Sequence, residues 1–193
     1  ECIVKEDIDD CVTEKSCDIV LLATDSFTKN AYPKIIKLVE KKVNVISTAE
    51  EMAFPQAQNP ELAKNMDLMA KENGVTILGT GINPGMMMDL LVVCLSGVMT
   101  DVKSIDVSRV NSLSPFGQAV MEEQGVGLTV QEFEAKMKEN ALAGHVGFAE
   151  SISMIAKALG WKLENFTQQM EPIITDVDRK SAYGFAKAKD VCG

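Results

Sequence analysis

Val75-Thr-Ile-Leu-Gly-Thr-Gly-Ile-Asn-Pro-Gly-Met-Met-Met-Asp-Leu-Leu-Val-Val-Cys-Leu95 is the stretch whose reading decides the fold. Its first four residues are mostly β-branched or apolar and follow Gly74, the pattern of a short buried strand. From Met86 to Leu95 apolar residues fall on every face, which predicts a fully buried helix. Asn83 can cap that helix, Pro84 suits its first position and Gly97 can end it. Between the two, Gly79-Thr-Gly-Ile-Asn-Pro-Gly85 is a bend with few side chains, so its amides and the helix N-terminus can approach a carboxylate or phosphate. The same glycines also suit a tight turn that holds nothing, and the residues alone leave both readings open. Ligands of open α/β sheets gather at the carboxyl ends of strands. That makes Gly81, Asn83, Pro84 and Gly85 candidates for gripping the acid group of a substrate.

Upstream the same alternation repeats. The opening Glu1–Val4 reads as a strand already under way, and Glu6–Glu14 as a short acidic helix. Cys17-Asp-Ile-Val-Leu-Leu-Ala-Thr24 is a nearly continuous apolar run, as expected of a strand buried on both faces of a parallel sheet, and it ends in the small, polar Ala23–Phe27. A helix follows over Tyr32–Lys42, with Ile35, Ile36, Leu38 and Val39 on one face and Pro33 in its first turn. Val43–Ile46 is a second buried strand running into Ser47–Pro55, and Asn59–Asn73 a helix closed by Gly74. Strand, helix, strand, helix, strand with short links predicts an α/β protein with a parallel sheet. We read residues 1–97 as the second half of a doubly wound, Rossmann-like sheet, the half that carries a G-x-G-x-x-G turn being absent.

Downstream of Gly97 the pattern changes, and a second, α+β domain is expected over residues 98–193. Asp101–Val110 largely alternates polar and apolar residues, the period of a strand with one wet face. Thr129-Val-Gln-Glu132 is a capping box opening a helix to about residue 141. A second helix, Phe148–Leu159, carries Ile152, Ile155, Ala156 and Leu159 at helical spacing. The tail predicts a short helix over Glu164–Met170, a strand at Glu171–Thr175 and a cut end at Gly193.

Composition narrows the class. Five scattered cysteines without a CxxC pair indicate neither a disulfide framework nor a zinc site, so no metal is expected and a cytoplasmic setting fits. No signal peptide or long apolar run is present, against secretion or membrane insertion. A net charge of −9 argues against nucleic acid and suits a cationic small molecule.

Three motifs in series carry a family likeness: Ile46-Ser-Thr-Ala-Glu-Glu-Met-Ala-Phe-Pro55, Gly79–Asp89 and Gly144-His-Val-Gly-Phe-Ala-Glu-Ser151. Together they resemble the 2,4-diaminopentanoate dehydrogenases, within the dihydrodipicolinate-reductase-like amino-acid dehydrogenases. The resemblance implies an N-terminal nicotinamide-binding half, followed by a substrate and dimerisation domain. It also implies NAD or NADP as cofactor, a small diamino acid as substrate, oxidative deamination at its 4-amino group, and a homodimer or higher homo-oligomer. Without the Gly-rich turn, residues 1–193 alone are expected to bind NAD(P) poorly.

That chemistry needs a base, because hydride leaves from a free amine and not from an ammonium. Glu50 and Glu51 are the first candidates, placed at a strand's carboxyl end, although acids there also suit a helix start. His145, the sole histidine, is the third. Asp89, the one charge in an apolar helix, is expected to hold either an ammonium or a hydrogen-bond donor of the chain. Arg109 can fork onto the substrate carboxylate. Ala23, Thr24, Ser26, Thr48 and Ala49 lie on the two strand-end loops that would line the nicotinamide. Two other readings stay open: a related reductase of another amino or imino acid, and a non-catalytic binding domain of the same fold.

Overall fold

The computed structural model describes residues 3–142 and 144–193. By contacts the chain divides into two units, Glu1–Val107 with Gly147–Phe166, and Ser108–Val146 with Thr167–Gly193.

The first unit is built on a parallel three-stranded sheet in the order β1 (Ile19–Leu22), β2 (Asn44–Ser47), β3 (Ile77–Gly79). Leu22 lies beside Ser47, and Ser47 beside Gly79, so all three strands stop level. After a short helix α1 (Ile8–Cys11), capped by the Asp7 carboxylate, the crossovers are α2 (Thr28–Glu40) and α3 (Pro60–Asn73). Ile35, Leu38 and Val39 of α2 pack with Met66 of α3 against Leu22, Val45 and the strand-entry Val43. Burying each of these side chains contributes about 2 kcal/mol.

The described residues cover only this one face of the sheet. On the other, Leu21 is 70% and Leu78 49% exposed. The expectation of a strand buried on both faces therefore fails within the described residues: the apolar run is real, but helices of this chain cover only its alternate side chains. Helix α2 also begins four residues earlier than expected. Pro33 is thus its sixth residue and not in its first turn.

The expected buried helix after the glycine bend differs more. Residues 83–89 form turns, and α4 spans only Leu90–Ser96, with none of its residues buried. Asp89, not Asn83, is its cap. The last large element of this unit is α7 (Phe148–Leu159), whose buried residues are Glu150, Ser151, Ile155 and Ala156. Ile152, expected inward, is 38% exposed.

The second unit holds α5 (Gln118–Glu123), α6 (Val130–Lys138) and a hairpin of β4 (Arg179–Lys180) and β5 (Phe185–Ala186). The Thr129–Glu132 capping box is formed, as its spacing predicts. Segment 173–175 pairs antiparallel with 189–193, through Thr175 N–H to Asp190 O at 3.1 Å and Cys192 N–H to Ile173 O at 2.8 Å. Two expectations are corrected. Residues 101–110 form no strand, and no helix forms over 164–170. Along 101–107 Val102, Ile105 and Val107 are the half-buried positions, spaced three and then two residues apart, and no ladder partner is present among the described residues. The strand foreseen at Glu1–Val4 falls partly outside the described residues, and Ile3 and Val4 are exposed and unpaired in any sheet. No helix among the described residues is long and apolar enough to cross a membrane.

Candidate active site

Because the strands end level, the loops that follow them lie in a row. Thr48 N–H donates to Leu22 O at 3.1 Å, and Thr80 N–H to Ser47 O at 3.0 Å, which prolongs the parallel ladder into the loops. The first loop is shaped by Asp25, whose Oδ1 accepts from Phe27 N–H at 2.9 Å and from the Asn30 amide at 3.1 Å. These donors hold its carboxyl below the usual range. Ala23 and Thr24 are exposed on this loop, and Thr48 on the next. Ser26 presents its carbonyl to Glu51 N–H at 3.2 Å. Ala49 is buried, so its side chain belongs to the core.

Glu50 and Glu51 open a 3₁₀ turn, Glu50–Ala53. The two diverge in environment. Glu51 is buried, and its Oε2 accepts from Thr28 N–H at 2.7 Å and from the Asn59 amide at 3.1 Å. It thus caps α2 from outside that helix, whose own preceding residue, Phe27, has no capping side chain. Glu50 is only half-buried. Glu51→Ala is expected to lower stability by about 2 kcal/mol by stranding the Thr28 and Asn59 donors. Urea denaturation of the two proteins measures this, and an unchanged midpoint would contradict the capping role.

The third loop, 79–85, is folded onto itself and onto α7. The Asn83–Pro84 peptide is cis. Asp89, fully buried, accepts from Gly85 N–H at 2.7 Å, Leu90 N–H at 2.6 Å and Ser151 Oγ–H at 2.9 Å. One carboxylate therefore closes the bend, starts α4 and holds α7 in place. Gly147 sits against Pro84, so closely that a Cβ there would lie 2.6 Å from the proline Cδ, and it adopts φ 111°, which disfavours any side chain. Pro84 is buried, while Gly81, Asn83 and Gly85 are half-exposed.

Sequence reasoning passed over one group here. Glu150 is 0% exposed; its Oε1 accepts from the Gln58 amide at 2.9 Å and its Oε2 has no hydrogen-bond partner among the described residues. Burial raises its pKa, partly opposed by the Gln58 hydrogen bond and reinforced by the nearby Glu51. The signal was present. One helical turn before the inward Ile155 stands Ser151, so the buried stripe of α7 continues into its polar first turn.

The loops 23–26, 47–51 and 79–85 are thus brought together, with Glu50, Glu51 and Asp89 among them. His145 and Arg109 belong to the second unit. Arg109 is exposed in a segment without regular secondary structure. The backbone about His145 is pinned by two amides, Gln124 to Gly144 O at 2.8 Å and Gln168 to His145 O at 3.2 Å.

A parallel sheet whose strand-end loops form one row belongs to the class of open α/β folds, in which ligands gather at the carboxyl edge of the strands. Comparison with known proteins is specific on the family. Residues 86–193 match the family model described as the 2,4-diaminopentanoate dehydrogenase C-terminal domain. The chain is 65% identical over 187 residues to the 2,4-diaminopentanoate dehydrogenase of Acetoanaerobium sticklandii, covering 96% of this chain and 53% of that protein. The chain therefore belongs to the 2,4-diaminopentanoate dehydrogenase family. It spans about half the length of the curated relative it matches. An amine dehydrogenase from Mycobacterium smegmatis shares the fold, with a TM-score of 0.70 over 90% of this chain and 52% of that one, at 24% identity.

Proposed function

We propose that this chain supplies the substrate-facing part of an NAD- or NADP-dependent dehydrogenase that oxidatively deaminates 2,4-diaminopentanoate to 2-amino-4-oxopentanoate and ammonium. The observation that carries this reading is the level row of three strand-end loops with a partly exposed glutamate beside them. On this reading residues 1–97 are the second half of a Rossmann-like domain. Residues 98–193 are the substrate and dimerisation domain.

The carboxyl edge fits a nicotinamide nucleotide: Ala23, Thr24 and Thr48 are small and exposed there, and leave the edge open. Ser26 and Ala49 contribute through backbone. A nicotinamide nucleotide bound at this edge would supply the acceptor for the hydride from C4 of the substrate. The chain's own residues do the rest. Glu50 takes a proton from the C4 ammonium, since a lone pair on nitrogen is needed to expel hydride. It passes that proton to solvent, takes one from the water that adds to the iminium carbon and gives it to the amine nitrogen of the resulting carbinolamine; the hydroxyl proton then leaves with the departing ammonia, so that ketone and ammonium are released. Glu51 is committed to α2 and supports the turn that carries Glu50. Gly81 and Asn83 hold the substrate carboxylate, Pro84 and Gly85 shape the bend that presents them, and Asp89 fixes that loop. The family resemblance assigns proton relay to His145 and pairing with the substrate carboxylate to Arg109.

The test is the full-length enzyme, following NAD(P)H absorbance with 2,4-diaminopentanoate. Glu50→Gln is expected to lower kcat by roughly 10²–10⁴, the range of a lost general base, with the unfolding midpoint unchanged. Wild-type kinetics in that variant would remove Glu50 from the chemistry. Turnover of a different diamino acid alone would move the assignment to a related dehydrogenase.

A further inference from the structure

The second unit holds a cavity of about 260 Å³ that the proposed reaction does not use. Its wall is built from the loop 112–114, Met121 of α5, Val126, the β4–β5 hairpin and Cys192. That volume lies below the ~300–1,000 Å³ usual for drug-sized ligands, so the cavity suits a smaller molecule.

The register of the hairpin decides which cation faces it. Arg179 stands opposite Ala186, and Lys180 opposite Phe185. Opposed residues share a face of the hairpin and successive ones alternate. Ala186 is buried and lines the cavity, whereas Phe185 is exposed and does not line it. Arg179 is therefore the cation on the cavity side, and Lys180 belongs to the other face. The guanidinium is also held. Its Nε–H donates to Oγ1 of the buried Thr175 at 3.0 Å, and that hydroxyl is turned by donating to Val177 O at 2.7 Å. The two terminal nitrogens keep the planar N–H fork that fits a carboxylate bidentately.

No acid answers this charge. Among the described residues Arg179 forms no ion pair, and no Asp or Glu lines the cavity. The acids close to it in sequence are spent elsewhere. Asp176 pairs with Lys189, Asp178 accepts from Ala188 N–H at 2.9 Å, and Asp190 accepts from Lys187 N–H at 3.2 Å. Hydroxyls add donors: Ser112 and Ser114 share one hydrogen bond at 2.9 Å, which leaves one of their two O–H groups to donate elsewhere. The remaining side chains are largely apolar, with Met121 and Val126 beside Ala186.

We infer that Arg179 and the Ser112–Ser114 pair form a binding site for a small organic carboxylate, whose short apolar body lies on Met121, Val126 and Ala186. The site is read from the second unit alone, so it stands or falls apart from the dehydrogenase assignment.

Cys192, a free and half-buried wall residue, can report occupancy. The experiment is alkylation of the full-length protein by uncharged iodoacetamide, followed at each cysteine by peptide mass spectrometry in sodium pentanoate, phosphate or chloride at equal ionic strength. Pentanoate is expected to slow alkylation of Cys192 saturably, by about fivefold or more, and to leave the exposed Cys11, Cys17 and Cys94 unchanged. Arg179→Gln is expected to abolish that protection and Lys180→Gln to keep it. Equal rates in pentanoate and chloride overturn the site, as does protection that survives in Arg179→Gln. Equal protection by phosphate and pentanoate overturns the carboxylate assignment. Should Cys192 not react in chloride, or Arg179→Gln not fold, calorimetric titration of pentanoate into the wild type and Arg179→Lys decides. Losing the fork is expected to weaken binding by about fivefold or more; no binding to the wild type, or equal affinity in both, overturns the site. The KM for 2,4-diaminopentanoate separates the possible sources. A rise in Arg179→Gln assigns the pocket to the substrate's own carboxylate, and an unchanged KM assigns it to a second carboxylic acid.

Discussion

Gly79→Ala is expected to destabilise the protein by about 3 kcal/mol or more and to remove turnover even where the chain still folds. Gly79 ends β3, directly beneath the 3₁₀ turn that carries Glu50 and Glu51. A Cβ built on it would overlap the Met52 carbonyl and stand 3.0 Å from the Ala53 amide nitrogen. Both neighbours are backbone, so no rotamer change relieves the clash. The parallel pairing of Ser47 with Gly79 prevents β3 from sliding away, and the turn must therefore be pushed outward, displacing Glu50. Denaturant titration gives the stability change, and turnover measured well below the melting point separates displaced geometry from unfolding. A variant with native stability and native kcat would mean that the turn does not rest on β3 as described.

Asp89→Ala is expected to be comparably severe, about 4 kcal/mol. The carboxylate serves three donors at full burial, so its loss strands two backbone amides and a hydroxyl. Each unmet donor costs about 1–3 kcal/mol, less what relaxation recovers. Ser151→Ala, which removes a single donor along with its need for an acceptor, is expected to cost about 1 kcal/mol. The same pair is informative kinetically. A loop that loses its fixed shape should bind substrate less tightly, so KM for the full-length enzyme is expected to rise for Asp89→Asn while Ser151→Ala changes it little. If both variants match the wild type in stability and KM, Asp89 does not organise the bend.

These two residues also mark how far the chain could be read from its letters. Strands β1 to β3 and helices α2, α3 and α7 follow from apolar runs and 3.6-residue spacing, because those patterns arise from contacts made within the first unit. The start of α4 does not follow from such a pattern. Met86–Met88 are as apolar as what comes after, yet Asp89 spends its oxygens on Gly85 and Leu90 and holds the preceding residues in turns. A capping side chain outweighed hydrophobic periodicity, and the competing candidate Asn83 lies six residues upstream. Residues 101–110 form no strand, since alternation in sequence records which side chains could face inward and not whether a neighbouring strand is there to accept hydrogen bonds. Of the two adjacent glutamates, spacing could not say which is structural. That depended on Thr28 and Asn59, brought in by the fold. Glu150 escaped notice because a glutamate in a helix's first turn is ordinary by sequence, and only its complete burial sets it apart.

The contact between Gly147 and Pro84 bears on any attempt to change what this scaffold accepts. The bend at 79–85 is shaped by residues more than sixty positions away, through a spot with no room for a side chain and through Ser151. Transplanting the bend alone from a relative of different specificity would mismatch its mould. Segments 79–89 and 147–151 form one cassette and should be exchanged together.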